Sequence, residues 1–366
     1  MMQQNPDPRF ARLHKPGILT SHYAGLTPIR PGIPFDQVLG LILSGRDILL
    51  CGSWGSAMSF YSWMKNKLTK RFPVDNYPAS RKYREALHGW NARVWIRILG
   101  HRADLSRAPQ NPWLKEFYPS QDDFMIRFAN FLGMNGAFQW YKRGIQYPVI
   151  AHRVHPFYGT YFPTRDEHLV LFDQWLSRHS RQFRNAVDIG TGCGILSLIM
   201  HKHGIHQIHA TDISPNAIYS VDMELQRHSV YQNHCITTRE ASLLGDHRPG
   251  AEDLVVCNPP WIPLQAEKQL DRATYYEEGF FGELFDTLAS QCDSGTAIAL
   301  IFSDFALVSG LASRHPVVGA VSQRSEQFDM LSIVRSGVRQ PPAKDKSWLA
   351  DIRKRESIEI LQIRKR

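Results

Sequence analysis

Residues 186–196 read AVDIGTGCGIL, and this stretch decides the fold. The apolar run Asn185–Ile189 has the length of a short buried strand, and it stops where Gly190, Gly192 and Gly194 alternate. Glycines at that spacing let the turn after a strand tighten and let a ligand approach bare backbone amides at the start of the next helix. Residues 194–203 carry a helical apolar pattern, and Gly204 is placed to close it. A dinucleotide fingerprint, G-x-G-x-x-G, would put its third glycine one residue later, where this chain has Ile195. About twenty residues on, Asp212 follows a second apolar run, where a carboxylate can accept both hydroxyls of a ribose.

Outward from this turn the pattern repeats. Strands are predicted over 207–211, 234–238, 254–257 and 296–302. Helices are predicted over 215–229, with Ser214 as N-cap and Pro215 in the first turn, and over 282–292. The run TAIALIF (296–302) is apolar on both faces and belongs in the middle of a sheet. Strands alternating with helices give an α/β, parallel, doubly wound sheet. Residues 317–321, 331–334 and 358–363 read as further strands, the last two without a full helix between them, so an antiparallel edge is expected. The intervening KDKSWLADIRKRES reads as a solvated excursion.

The fourth strand ends abruptly, in VVCNPPWIP (255–263). Pro259 and Pro260 cannot donate to a ladder, so the strand must stop at Asn258. A side-chain amide, two rigid backbone carbonyls and the flat ring of Trp261 at a strand's carboxyl end form a socket for a planar group that carries NH2. Read structurally, the same residues are a strand-ending turn.

The 366 residues are 43% hydrophobic and 21% charged, an ordinary globular composition long enough for two domains. Five widely spaced cysteines with no C-x-x-C pair argue against a disulfide framework and a zinc knuckle, and point to a reducing, cytoplasmic setting. No signal peptide and no transmembrane run is read. The net charge of +9 is unevenly placed: residues 1–145 hold 20 Lys and Arg against 9 Asp and Glu, a balance of +11, and the remainder 23 against 25, or −2. A basic N-terminal part suits an acidic partner such as RNA or a ribonucleoprotein surface, though a basic face also occurs without one. Residues 1–143 read as a separate, mostly helical domain, 144–180 as a linker and lead-in helix, and 181–366 as the α/β domain. Within the first of these, ILLCGSWGSAMSFYSWM is either strand, turn and helix or one buried helix, and it lacks the Lys-Ser/Thr of a phosphate-binding loop. The histidines of HKHGIHQIH (201–209) straddle a helix end, a glycine and a strand, so they would not converge on a metal. No metal site is expected.

Taken in order, D-x-G-x-G-x-G, an acid after the second strand and N-P-P-aromatic after the fourth resemble the Rossmann-like class I methyltransferases that use S-adenosylmethionine. That resemblance implies a seven-stranded, mostly parallel sheet. Residues 147–176 narrow it: Pro148-Val149, Phe157-Tyr158-Gly159 and Pro163-Thr164-Arg165-Asp166-Glu167 are similar to the segment that precedes the first strand in the release-factor glutamine methyltransferases, with Pro-Arg-Pro become Pro-Thr-Arg. Thr164 with Glu167 is also a capping box. The resemblance covers about residues 146–305. It implies that Asp188, Gly190, Thr191, Gly192, Gly194, Asp212, Ile213, Ser242, Asn258 and Arg165 hold the cofactor. It also implies that Asn258, Pro259, Pro260 and Trp261 act in catalysis, and that Phe157, Tyr158 and Tyr161 meet the substrate. Two departures stand out: Ser242 occupies the place where relatives carry an acid after the third strand, and Trp261 replaces the common Tyr.

In such enzymes the Asn258 side-chain oxygen and the Pro259 carbonyl would accept the two N–H bonds of an amide or exocyclic amine while Trp261 packs on its face. Positioning and electrostatics then do the catalysis, without metal or covalent intermediate. The expected activity is N-methylation of a planar nitrogen, first a glutamine side chain on a translation-related protein. The alternatives are an exocyclic amine of RNA or DNA, and a small-molecule amine. A non-catalytic binding protein would have no need of Asn258. The sequence leaves the oligomeric state open.

Overall fold

A computed structural model describes residues 8–20, 25–231, 235–264, 274–342, 344, 345 and 347–366. The chain divides into two compact units, Met1–Gln139 and Trp140–Arg366.

The first unit is organised around a sheet. Strands β1 (Ile18–Thr20), β2 (Leu26–Ile29), β3 (Asp47–Leu50), β4 (Val94–Leu99), β5 (Arg102–Ala103) and β6 (Asp123–Arg127) lie in the order β1-β6-β4-β3-β2, with β5 on β4. The pairs β2/β3 and β3/β4 are parallel, and β4/β6 and β1/β6 antiparallel. Helices α1 (Phe35–Leu43), α2 (Trp54–Arg71), α3 (Tyr77–Asn91), α4 (Trp113–Phe117) and α5 (Phe128–Arg143) accompany them. Helix outweighs strand in this part, as expected, but the sheet is not legible in the sequence. Its strands run from two to six residues, too short for alternation to declare itself. Of the two readings of ILLCGSWGSAMSFYSWM, strand, turn and helix is the one formed: β3 ends at Leu50, Gly52 turns at φ 99°, and the Ser53 hydroxyl accepts from the Ser56 amide at 3.1 Å to cap α2.

The second unit opens with a small hairpin, β7 (Ile145–Gln146) and β8 (Arg153–Val154), and α6 (Glu167–His179). Then come β9 (Asn185–Ile189), α7 (Ile195–Lys202), β10 (Gln207–Asp212), α8 (Pro215–Arg227), β11 (Ile236–Glu240) and β12 (Leu254–Cys257). A two-residue pair follows, β13 (Ile262–Pro263) with β14 (Tyr275–Tyr276), and after it α9 (Phe280–Gln291), β15 (Ala297–Ser303), α10 (Phe305–Val308), α11 (Pro316–Ser322), β16 (Phe328–Gly337), α12 (Trp348–Arg353) and β17 (Ser357–Lys365). The main sheet has seven strands in the order β11-β10-β9-β12-β15-β17-β16, parallel except for β17, which pairs antiparallel with both neighbours. This is the Rossmann-like sheet with an antiparallel edge.

Alternation along β9 shows why the sheet is covered twice. Val187 and Ile189 pack with Val255, Ile298, Leu284 and Phe285 on one face, whereas Ala186 packs with Val256, Ile199 and Phe172 on the other. Three details depart from expectation. Residues 317–321, β-branched enough to read as a strand, lie in α11, which starts at Pro316 and buries Val317 and Val321 against α9 and the sheet. The solvated excursion contains α12, with Ala350 and Ile352 buried. The third strand begins at Ile236, and His234 lies outside the described residues.

Candidate active site

The strand order reverses between β9 and β12, neighbours whose connections leave in opposite directions across the sheet. A crevice forms at the carboxyl ends of strands at such a switch point. The glycine turn after β9 and the Asn-Pro-Pro after β12 are thereby brought together, although about seventy residues separate them. The crevice holds a cavity of about 600 Å³, within the range of small-molecule and cofactor sites.

Its floor is the turn Gly190–Gly194. All three glycines have positive φ, at 70°, 54° and 82°. The Gly190 and Thr191 amides both donate to the Thr211 carbonyl at 2.9 Å, tying the turn to the end of β10. Asp188 lies beneath the turn, fully buried, and its Oδ2 accepts from Thr191 Oγ1 at 2.8 Å, Ser197 Oγ at 2.7 Å and the Ser197 amide at 3.2 Å. Its other oxygen has no partner, and burial pushes the carboxyl up to about 6 despite those hydrogen bonds. Asp212 braces two turns at once: Oδ2 accepts from the Gly192 amide at 3.0 Å and Oδ1 from the Ser214 amide at 2.8 Å. Burial raises its pKa against those two bonds. The capping bond expected of Ser214 is not formed: α8 has no side-chain cap, and the buried Ser214 hydroxyl is left without a hydrogen-bond partner.

One wall is the segment before α6. Phe157 donates its amide to Ser220 Oγ, Thr160 its hydroxyl to the Asn216 carbonyl, and Asn216 its side chain to the Tyr158 carbonyl, so residues 157–160 are stitched to α8. This brings Gly159, Tyr161 and Pro163 to the cavity. The first turn of α6 adds His168, 2% exposed, with neither ring nitrogen hydrogen-bonded. Burial depresses its pKa to about 4, so the ring is neutral near pH 7. The capping box is not formed: α6 begins after Asp166 without a side-chain cap bond, and Glu167 instead accepts from the Arg339 amide and Arg165.

The opposite wall comes from three places. Ala241, Ser242 and Leu243 follow β11, with Leu243 in the left-handed region at φ 49°. Asn258, Pro259 and Pro260 follow β12, and residues 275–280 with Glu283 close the mouth, bringing Glu277, Glu278 and Glu283 to it. Trp261 does not line the cavity; its ring meets His168 edge to face at 5.5 Å, and its Nε1 donates to Asn258 Oδ1 at 3.0 Å. The indole therefore fixes the direction of the Asn258 amide.

Of the residues singled out in the sequence, Gly190, Thr191, Gly192, Asp212, Ile213, Ser242, Asn258, Pro259, Pro260 and Tyr161 line one cavity. Asp188 and Gly194 support it from behind, Gly194 with Val221 against it. Phe157 is buried against Tyr219, and the Tyr158 carbonyl accepts from the Asn216 side chain. Arg165 points elsewhere, donating to both oxygens of buried Glu356 at 3.2 and 3.1 Å. His168 and the acidic mouth are not legible in the sequence, because a lone histidine on a helix and scattered glutamates carry no spacing signal.

Residues 170–275 match the family model of the Methyltransferase small domain. The ribosomal protein L11 methyltransferase of Geobacillus thermodenitrificans is 34% identical over 89 residues, 24% of this chain and 28% of that protein. A Methanocaldococcus jannaschii protein named as a candidate protein N5-glutamine methyltransferase is 25% identical over 127 residues, 35% of this chain and 59% of that one. The chain thus spans well under two thirds of either relative. The crystal structure of ribosomal protein L11 methylase from Lactobacillus delbrueckii subsp. bulgaricus overlays with a TM-score of 0.39 and 18% identity over 60% of this chain and 90% of that one, too loosely to carry an argument. The matched residues build the cavity floor and the Ala241–Leu243 and Asn258–Pro260 parts of one wall, and the unit that holds them contains a class I, S-adenosylmethionine-dependent methyltransferase domain.

Proposed function

We propose that this protein transfers a methyl group from S-adenosylmethionine to a planar nitrogen, in the first place the side-chain amide of a protein glutamine. The observation that carries the proposal is the Asn258 amide, set at the end of β12 in the same cavity as the glycine turn and oriented by Trp261 Nε1. An amide oxygen has two lone pairs. One is taken by the indole, and the other is available to an incoming N–H.

The cavity residues fit the cofactor. A Cβ at Gly190 would meet no atom within 4 Å, Ile213 offers an apolar side chain that is 47% exposed, and Ser214 Oγ is a buried hydroxyl without a partner. Gly190, Thr191, Gly192, Asp212, Ile213 and Ser242 would hold it, and it supplies an electrophilic methyl group when bound. The chain's own part is positioning. Asn258 Oδ1 and the Pro259 carbonyl accept the two N–H bonds of an NH2 group, hold its lone pair toward the donor and lie beside the charge that develops on nitrogen. Neutral His168 and the surrounding apolar residues keep the site dry, which strengthens both contacts.

Glutamine is favoured over nucleic acid by the mouth. Glu277, Glu278 and Glu283 line it, and three carboxylates there repel a phosphate backbone but leave an uncharged amide unaffected. The names of the relatives, which refer to a ribosomal protein and to protein glutamine, support a translation-related protein substrate. The second reading, an exocyclic amine of RNA, is favoured by the +11 balance of residues 1–145. Incubation with methyl-labelled S-adenosylmethionine and a desalted cell lysate, with Asn258→Ala as control, separates them. Label that appears in protein glutamine and is lost in the variant supports the first reading; label in RNA replaces it with the second. No transfer to any fraction, with no cofactor binding by calorimetry, rejects both.

A further inference from the structure

At the far end of α8 from the cavity three side chains converge in a way that the methyltransferase reading does not use. Glu224 and His228 are four residues apart on one face of the helix and its end, and His152 reaches them from the turn between β7 and β8. Glu224 is 1% exposed. Its Oε2 is held by the His155 amide at 3.0 Å, with Arg227 Nε at 3.9 Å. That leaves Oε1 directed between two imidazoles, 3.2 Å from His228 Nε2 and 4.0 Å from His152 Nε2, and one ligand atom from each residue falls within 4.8 Å of the others. Neither Glu224 Oε1 nor His228 Nε2 makes a hydrogen bond, although both atoms are buried.

Buried polar atoms without partners are rare and need a reason. A simple ion pair is a poor one here, since the close approach lacks hydrogen-bond geometry, and the two imidazole rings lie 4.0 Å apart, where two positive charges would repel. We propose that His152, Glu224 and His228 form a zinc site. Two imidazole nitrogens and a carboxylate oxygen are a common zinc set, and tetrahedral ligands sit about 3.3 Å apart. The observed spacings need only side-chain rotation to reach it. The fourth position falls to water, with the Tyr231 hydroxyl, now hydrogen-bonded to His152 Nε2 at 3.4 Å, beside it. His152 and His228 side chains are 21% and 28% exposed, which leaves a way in for the ion.

The site joins residue 152 to the end of the helix whose first turn, about 14 Å away, lines the cavity. Between the two ends, residues 155–160 are already hydrogen-bonded to α8 at Glu224, Ser220 and Asn216. Zinc would lock the far end of this seam. No metal is expected from the sequence, where only the HKHGIHQIH run stands out; the seventy-five residues between His152 and His228 hide this set.

The test uses the full-length chain stripped with chelator and titrated with Zn2+ alone, then with Co2+ as a spectroscopic probe. Wild type should bind one zinc per chain, gain thermal stability, and give the visible ligand-field bands of tetrahedral cobalt. The His152→Ala/His228→Ala double variant should lose affinity by more than the roughly 10–100-fold that removal of an outer-shell partner costs, and lose the bands. His228→Gln, which keeps the volume, serves if the double variant does not fold. Failure of wild type to bind stoichiometric zinc, or equal affinity in wild type and variants, overturns the proposal, and neither result bears on methyl transfer.

Discussion

The glycine turn can be tested without knowing the substrate, because Gly190 and Gly192 differ in what a side chain would meet. Both have positive φ, 70° and 54°, which costs an L-residue about 1–2 kcal/mol. At Gly190 a Cβ meets nothing within 4 Å, whereas at Gly192 it comes to 2.9 Å from the Tyr161 carbonyl oxygen, a backbone atom that cannot rotate away. Overpacking of that kind adds about 1–3 kcal/mol. Gly190→Ala should therefore cost about 1–2 kcal/mol and Gly192→Ala about 2–5. Ligand affinity should not follow the same order: the Gly190 Cβ enters space that a ligand needs, so Gly190→Ala is the mild stability variant that nonetheless weakens S-adenosylhomocysteine binding severely. The assay is urea unfolding of the full chain, read from the transition that S-adenosylhomocysteine shifts upward, with calorimetry for affinity. Losses equal within about 0.5 kcal/mol, or unaltered affinity in Gly190→Ala, would refute the argument that this turn is a cradle closed on one side by Tyr161.

Three further outcomes follow from the geometry. The folded state keeps His168 neutral down to about 4, while an unfolded chain takes up a proton near 6.5, so the unfolded state binds more protons between those values and stability falls as pH drops. Wild type without cofactor should lose about 2 kcal/mol more than His168→Phe between pH 7 and 5; parallel curves would mean that the ring is solvated. Asp188, raised to about 6, acts in the opposite sense within its own window and is common to both proteins. Arg165→Ala removes the cation beside buried Glu356, which among the described residues then keeps the Ser303 hydroxyl at 2.8 Å. It should cost about 2 kcal/mol, below a fully buried pair because Arg165 is partly exposed. S-adenosylhomocysteine affinity should not change, and a tenfold drop would put Arg165 in the cofactor site. Trp261→Phe loses the indole bond to Asn258, worth about 1 kcal/mol; methyl transfer should fall about fivefold at unchanged cofactor affinity. Unaltered transfer would mean that Asn258 holds its direction without the indole.

By itself the sequence determined the sheet of the second unit and the floor of its cavity. Local chemistry is sufficient there: Gly190, Gly192 and Gly194 sit where only glycine turns freely, and Pro259 and Pro260 end β12 wherever that strand lies in the sheet. Apolar runs such as 297–303 announce a buried strand because both faces must leave water. Tertiary structure decided what depends on contacts between distant residues. Residues 317–321 follow strand propensity but are helical because Pro316 starts a turn and α9 offers a face to cover. Ser214 holds the cap position without making the cap bond, while Asp212 ties the Ser214 amide to that of Gly192, twenty-two residues back in the chain. Arg165 shares the wall segment with Tyr161, yet buried Glu356, 191 residues on, attracts it away from the cavity. His168 and the trio His152, Glu224 and His228 acquire their character from burial, and burial arises only when separate segments pack.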